Sequence, residues 1–141
     1  MKIFAVLIAS LIAVHVDALT LVEHKAMVMG IAQECKITEN ASDGDIGKLV
    51  EKKAPDTKEG KCLFTCIMEQ MDVITNGKLS KEGYMEFAEA VTAGDGAKLK
   101  VAEELFSECV GIQDGDRCEL GMKIGGCLKM GGIKRKIDFG F

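Results

Sequence analysis

Apolar residues recur three and four positions apart through most of the chain, and short breaks rich in glycine or small polar residues separate these stretches. Such spacing is typical of amphipathic helices, whereas the strict alternation typical of a strand is hard to find. The pattern predicts an all-α fold with six helices. Neither a repeat nor a long linker interrupts it, so we expect a single domain over residues 19–141.

The first three predicted helices are delimited by residues that commonly begin or end helices. Helix one is expected over residues 21–35, and helix two begins at Ser42, where Asp45 three positions later predicts a capping box. Pro55 ends this stretch, because proline is poorly tolerated inside a helix. Helix three is expected over residues 57–74 and contains two of the six cysteines.

Three further helices are predicted in the second half of the chain. Asn76-Gly77 marks a turn, after which Ser80 caps helix four. Helix five follows the glycine break at residues 94–96, and helix six is expected over residues 116–130. The glycine pair at 131 and 132 is expected to end helix six. Glycines inside helix six each lower its helix propensity by about 1 kcal/mol relative to alanine; they are Gly121, Gly125 and Gly126.

The first 18 residues have the composition of a secretory signal peptide. Lys2 provides a positive charge, residues 3–14 are nearly all apolar, and a small residue, Ala18, stands at the expected cleavage site. About a dozen apolar residues are too few to span a bilayer, which needs roughly 20. We therefore expect cleavage after Ala18 and secretion of the domain over residues 19–141.

The charge of the chain argues against two classes of partner. The net charge is −4, and it stays so after removal of residues 1–18, which contain one base and one acid. A mildly acidic protein is not attracted to nucleic acid or to an anionic membrane surface. We therefore expect no nucleic acid partner and no stable membrane insertion.

All six cysteines lie beyond the predicted cleavage site. An even number of cysteines in a secreted chain predicts three disulfide bonds rather than a metal or redox site, with 15 possible pairings. Cys62 and Cys66 are not expected to pair with each other, because residues four apart on a helix have Cβ atoms about 5–6 Å apart, whereas a disulfide needs about 3.5–4.5 Å. These two cysteines should therefore bond to different partners.

The cysteine spacing, C-x26-C-x3-C-x42-C-x8-C-x8-C, resembles the signature of the insect odorant-binding proteins, the pheromone and general odorant-binding family. Residues 61–69, with the letters KCLFTCIME, resemble the central helix of that family, and residues 76–79 resemble the turn after it. The resemblance covers essentially all of residues 19–141. It implies six helices and three disulfides around a hydrophobic cavity, with the pairs Cys35 and Cys66, Cys62 and Cys118, and Cys109 and Cys127.

The resemblance implies an extracellular carrier and not an enzyme. Such a protein reversibly binds odorants, pheromones or similar small hydrophobic molecules, solubilises them and delivers them to chemosensory receptors. The implied partners are the ligand and, beyond it, an odorant receptor or a second copy of the chain. The implied location is sensillum lymph or haemolymph, and no cofactor or metal ion is implied. The alternative is a carrier or buffer of lipid-like ligands outside the antenna.

Residues on the inward faces of the predicted helices are candidates for the pocket wall. Methionine suits surfaces that adapt to varied ligands, and Tyr84, the only tyrosine, offers a hydroxyl to a ligand oxygen. The tail, residues 133–141, has an apolar end and is apolar enough there to fold back over the pocket mouth. Plain core packing, a solvent-facing hydroxyl and a frayed chain end remain the alternatives. The candidates are Met68, Tyr84, Phe87, Val91, Leu105, Phe106, Met122, Ile124, Phe139 and Phe141.

Three other classes of secreted protein fit the sequence less well. Asp72 and Asn76 mimic part of a calcium-binding EF-hand loop, but Ile74 and Gly83 stand where that loop needs oxygen ligands. A hydrolase would need a nucleophile elbow or a histidine-based metal motif, and neither occurs. A saposin-like lipid-interaction protein would need paired CxxC elements, which the chain lacks. A histidine-driven pH switch is not expected either, because His24 is the single histidine after residue 18.

Overall fold

Six helices and one short hairpin make up residues 20–140, which are the residues that this computed structural model describes. The predicted all-α fold with six helices is confirmed, and the hairpin is an addition. The predicted signal peptide, residues 1–18, and Phe141 lie outside the described residues. The elements are α1 (Leu21–Thr38), α2 (Asp43–Val50), α3 (Lys58–Gln70), β1 (Ile74–Thr75), β2 (Lys78–Leu79), α4 (Lys81–Thr92), α5 (Gly96–Cys109) and α6 (Arg117–Lys134).

Each helix begins where a side chain accepts a hydrogen bond from the backbone of the first turn. At α2 the predicted capping box is complete: Ser42 Oγ accepts from the N–H of Asp45 at 3.1 Å, and the Asp45 carboxylate accepts from the N–H of Ser42 at 2.8 Å. The hydroxyl of Thr57, the cap of α3, also donates to Asp45 at 2.6 Å. One carboxylate therefore joins the starts of α2 and α3. The six capping residues are Thr20, Ser42, Thr57, Ser80, Asp95 and Asp116.

Helix α3 ends at Gln70, before the predicted end at residue 74. Asp72 has a φ of 56°, which a right-handed helix does not accommodate, and Ile74 then pairs with Leu79 in the antiparallel hairpin. Asn76 and Gly77 have φ values of 52° and 69°, and two consecutive positive values are typical of a two-residue type I′ turn. The turn predicted here is confirmed, but its flanking residues form strands.

Helix α6 extends to Lys134, beyond the predicted end at residue 130. The interpretation of Gly131 and Gly132 as a stop signal is therefore wrong. A Cβ atom at Gly131 would lie 2.2 Å from Cδ2 of Leu105, and one at Gly132 would lie 2.8 Å from the carbonyl oxygen of Ile137. These glycines sit inside the helix because only hydrogen leaves room for α5 and the C-terminal segment to pack against it.

Helix α3 lies at the centre of the fold, against α1, α2 and α6. Each disulfide joins two helices, and Cys62 and Cys66 bond to different partners, as their spacing predicts. The bonds join Cys35 of α1 to Cys66 of α3, Cys62 of α3 to Cys118 of α6, and Cys109 of α5 to Cys127 of α6. This is the pairing that the resemblance implies.

Two apolar clusters form the core and meet along α3. One lies among α1, α2 and α3 around Leu63, and the other lies among the hairpin, α4, α5 and α6 around Tyr84. Met71 packs against both clusters. Within residues 20–140, no helix combines the length and the apolar character that a membrane span requires.

Candidate functional site

A cavity of about 240 Å³ lies between the two core clusters. Val28 and Ala32 of α1 form one side of its wall, and Val73 and Phe87 from the second cluster form the other. The remaining wall comes from α2, the segment after it, α3, α6 and the chain end. The lining residues are Val28, Met29, Ala32, Leu49, Val50, Lys52, Lys53, Ala54, Pro55, Phe64, Ile67, Met68, Met71, Val73, Phe87, Met122, Gly125, Gly126, Lys129 and Gly140.

The wall of this cavity is almost entirely apolar. Flexible thioethers and two aromatic rings dominate it, and the rings belong to Phe64 and Phe87. The lining residues include no aspartate, glutamate, serine, cysteine or histidine. Such a wall binds by shape and by exclusion of water, and its methionines adapt to ligands of different outline. The thioethers belong to Met29, Met68, Met71 and Met122.

A glycine on α6 sets the position of one aromatic ring in the wall. A Cβ atom at Gly125 would lie 2.5 Å from Cε1 of Phe64, so the absence of a side chain allows this ring to rest on the α6 backbone. Phe64 is thereby held at the boundary between α3 and α6. The glycine that weakens α6 as an isolated helix shapes the cavity in the folded chain.

Three of the ten predicted pocket residues, Met68, Phe87 and Met122, line this cavity. Tyr84, Leu105 and Ile124 do not line it, because all three are fully buried in the second cluster, with 0% exposure. The other four lie elsewhere: Val91 and Phe106 pack against that cluster, Phe139 lines a second cavity, and Phe141 is outside the described residues. The structure thus places the cavity on the α1 side of α3, whereas most candidates lie on α4, α5 and α6.

Sequence reasoning missed the contributions of α1 and α2. Val28 and Ala32 follow one another at helical spacing, and this stripe was the available signal. The same stripe also fits ordinary helix packing, so the sequence does not separate a cavity wall from a filled core. Val50 and the segment over residues 52–55 carry no periodic signal at all.

Two buried polar atoms near the core have no hydrogen-bond partner in the described chain: Nε2 of His24 and the hydroxyl of Tyr84. Burial raises the pKa of Tyr84 to about 12, and the hydroxyl does not face solvent. Burial also lowers the pKa of His24, whose ring centroid lies 5.7 Å from that of Phe87 in the cavity wall. Both groups are therefore neutral at physiological pH. No group of three or more His, Cys, Asp or Glu side chains within residues 20–140 is placed to hold a metal ion.

The mouth of the cavity combines lysines with the C-terminal segment. Lys52 Nζ lies 2.5 Å from Oδ2 of Asp138, and Lys129 Nζ donates to the carbonyl oxygen of Lys52 at 2.8 Å. A second, more open cavity of about 380 Å³ adjoins this region and is lined by both lysines, Asp138 and Phe139. Phe139 is only 3% exposed, so the tail folds back against the second cluster.

Three disulfides join four of the six helices, and the helices enclose an apolar cavity. These features define a class of small helical ligand carriers. The chain belongs to the PBP/GOBP family, whose family model matches residues 17–130. This confirms the resemblance drawn from the cysteine spacing. Proteins of this family are secreted carriers rather than enzymes.

Individual relatives agree with this assignment. The chain is 36% identical over 109 residues to general odorant-binding protein 28a of Drosophila melanogaster. The aligned region covers 76% of each chain. The solved structure of odorant-binding protein dmelOBP28a from Drosophila melanogaster has a TM-score of 0.75 and 33% identity, over 84% of this chain and 99% of that one. A second structure, the fatty acid binding protein OBP56a from the oral disk of the blowfly Phormia regina, has a TM-score of 0.69 and 26% identity, over 79% and 94%.

Proposed function

We propose that this chain is an extracellular carrier that reversibly binds small hydrophobic molecules in the cavity between α1, α2, α3 and α6. The observation that supports this most strongly is the apolar, methionine-rich wall of that cavity. The names of the relatives support the same reading, and the blowfly protein favours ligands with a long aliphatic chain. A micromolar dissociation constant, about −8 kcal/mol, is expected for a ligand of this kind.

The physiological setting is a further part of the proposal. Cleavage after Ala18 releases the domain over residues 19–141 into sensillum lymph or haemolymph, where it solubilises odorants or pheromones and delivers them to a chemosensory receptor. A second copy of the chain is the other proposed protein partner. Sequencing of the secreted protein should show Leu19 as its first residue, and a start at Met1 would contradict the proposed signal peptide.

A tryptophan placed in the cavity tests the binding site directly. The chain contains no tryptophan, so the tryptophan fluorescence of each variant comes from the introduced indole alone. Val28→Trp puts an indole in the wall, and Val110→Trp, at a 42% exposed position just after α5, is the matched control. A panel of alcohols, aldehydes, esters and fatty acids should change the emission of V28W, saturably, and leave that of V110W unchanged.

The unmodified chain provides the complementary measurement. The apolar fluorescent probe N-phenyl-1-naphthylamine should bind, and members of the same panel should displace it. V28W should bind the probe more weakly, because the larger side chain fills part of the cavity. Absence of saturable binding by the probe and by every member of the panel would defeat the carrier function.

A further inference from the structure

The mouth of the cavity carries positive charge that a purely hydrocarbon ligand does not need. Lys52, Lys53 and Lys129 are the charged residues among those that line the cavity. The chain as a whole has a net charge of −4, so this group of cations does not follow from a basic composition. An apolar wall that ends in cations is complementary to an amphiphile with an anionic head.

One carboxylate of the chain already lies among these cations. Asp138 accepts a hydrogen bond from Lys52 through Oδ2 at 2.5 Å and one from the Gly140 N–H through Oδ1 at 2.7 Å. Lys129, which donates to the carbonyl oxygen of Lys52, adds a second cation nearby. The hydrogen bonds from Lys52 and Gly140, with the charges of both lysines, lower the pKa of Asp138. Among residues 20–140, Lys52 and Lys129 therefore both act on the single carboxylate of Asp138, while Lys53 is paired with Glu51 at 2.6 Å.

We propose that Lys52 and Lys129 form a subsite for the carboxylate head of an amphiphilic ligand whose hydrocarbon chain lies in the cavity, and that the Asp138 carboxylate competes for this subsite. The proposal rests on the proposed carrier function and adds the headgroup and its competitor. Charge-assisted hydrogen bonds to lysine are the interactions that would distinguish an acid from its alcohol.

Exchange of one carboxylate for the other is favourable on physical grounds. The side chains of Lys52 and Asp138 are 46% and 71% exposed, and an ion pair this exposed contributes little to stability. A ligand carboxylate brings a hydrocarbon chain into the apolar wall, which Asp138 does not. Gly140 lines the cavity and Phe139 lines the adjoining one. Because Asp138 holds this C-terminal segment to Lys52, displacement of its carboxylate would also loosen the segment.

The test compares ligands that differ in the head alone. Dodecanoic acid, dodecanol and methyl dodecanoate are measured by displacement of N-phenyl-1-naphthylamine at low salt and about pH 8, where the acid is ionised. We expect the acid to bind about tenfold more tightly than the alcohol, and added salt to reduce this ratio. Lys129→Met should bring the ratio close to one, and Lys100→Met, on the exposed face of α5, should leave it unchanged. Asp138→Asn should raise the affinity for the acid.

Each outcome bears on the proposal separately from the carrier function. Equal affinities for acid and alcohol, or equal effects of K129M and K100M, would overturn the carboxylate subsite while the carrier function stands. An equal rise in acid and alcohol affinity in D138N would show a simple lid and overturn the competition. Absence of probe binding in the unmodified chain would instead contradict the carrier function, and this proposal with it.

Discussion

Gly121 and Gly126 lie on the same helix, α6, and alanine at these two positions should change stability in opposite directions. A Cβ atom at Gly126 meets no heavy atom within 4 Å, and this residue is exposed. Alanine there should stabilise the protein by about 1 kcal/mol through its better helix propensity. A Cβ atom at Gly121 would lie 2.0 Å from Oγ1 and 2.7 Å from Cβ of Thr65 on α3.

The cost at Gly121 follows from this contact. Separation of the atoms requires α3 and α6 to move apart by more than an ångström or Thr65 to rotate, and overpacking of this kind costs about 1–3 kcal/mol. Thr65 Oγ1 also donates to the carbonyl oxygen of Cys118 at 3.2 Å, and loss of that bond costs about 1 kcal/mol. The gain in propensity offsets about 1 kcal/mol of this. Gly121→Ala should therefore destabilise the protein by about 1–3 kcal/mol.

Thermal unfolding followed by circular dichroism, with the disulfides intact, measures both variants. At about 4 °C per kcal/mol, the melting temperature of G126A should rise by about 4 °C and that of G121A should fall by about 4–12 °C. The Cβ atom of G121A would also lie 2.9 Å from Cγ2 of Thr65. Thr65→Ala removes Oγ1 and Cγ2 and should therefore partly rescue G121A. Equal melting temperatures of G121A and G126A would refute the argument that α3 and α6 pack too closely for a side chain at residue 121.

Three further predictions follow from the buried side chains and the disulfides. Tyr84, with its pKa raised to about 12, should ionise near pH 12 rather than about 10 in a spectrophotometric titration of the native protein; ionisation near pH 10 would contradict its burial. Because burial lowers the pKa of His24, the unfolded state takes up a proton first as the pH falls, and the free energy of unfolding should decrease below about pH 6.5. Urea denaturation of His24→Gln should show no such decrease in this pH range. An unchanged pH dependence in the variant would assign the effect to other groups. Replacement of both cysteines of the Cys109–Cys127 pair by serine should lower the free energy of unfolding by about 3 kcal/mol. The same change at the Cys62–Cys118 pair should lower it by about 4 kcal/mol, because this bond closes a loop of 56 residues rather than 18. A larger loss for the Cys109–Cys127 variant in chemical denaturation would argue against an origin in loop entropy.

Features that depend on neighbours in sequence could be predicted, and those that depend on tertiary contacts could not. Ser42 and Ser80 mark helix starts because a cap acts within one turn, and the structure has both. A glycine such as Gly131 has the same local sequence pattern whether it ends a helix or makes room for a neighbouring side chain. In the structure Gly131 makes room for Leu105. Met68 and Tyr84 both occupy inward faces, but only Met68 lines the cavity, because the clusters on either side of α3 do not close against each other. The gap between the two clusters cannot be read from the periodicity of α3 or α4, because both helices show the same inward apolar spacing.

The disulfides and the cavity are linked through stability. An apolar cavity lacks packing contacts that a filled core would have, so the cavity between the two clusters lowers the stability of the fold. Each disulfide restricts the unfolded chain by about 3–4 kcal/mol for the loops that these bonds close. These bonds offset part of this loss, and all three attach to α3 or α6, two of the helices that line the cavity. The covalent framework therefore helps the fold to keep an open apolar cavity between its two clusters.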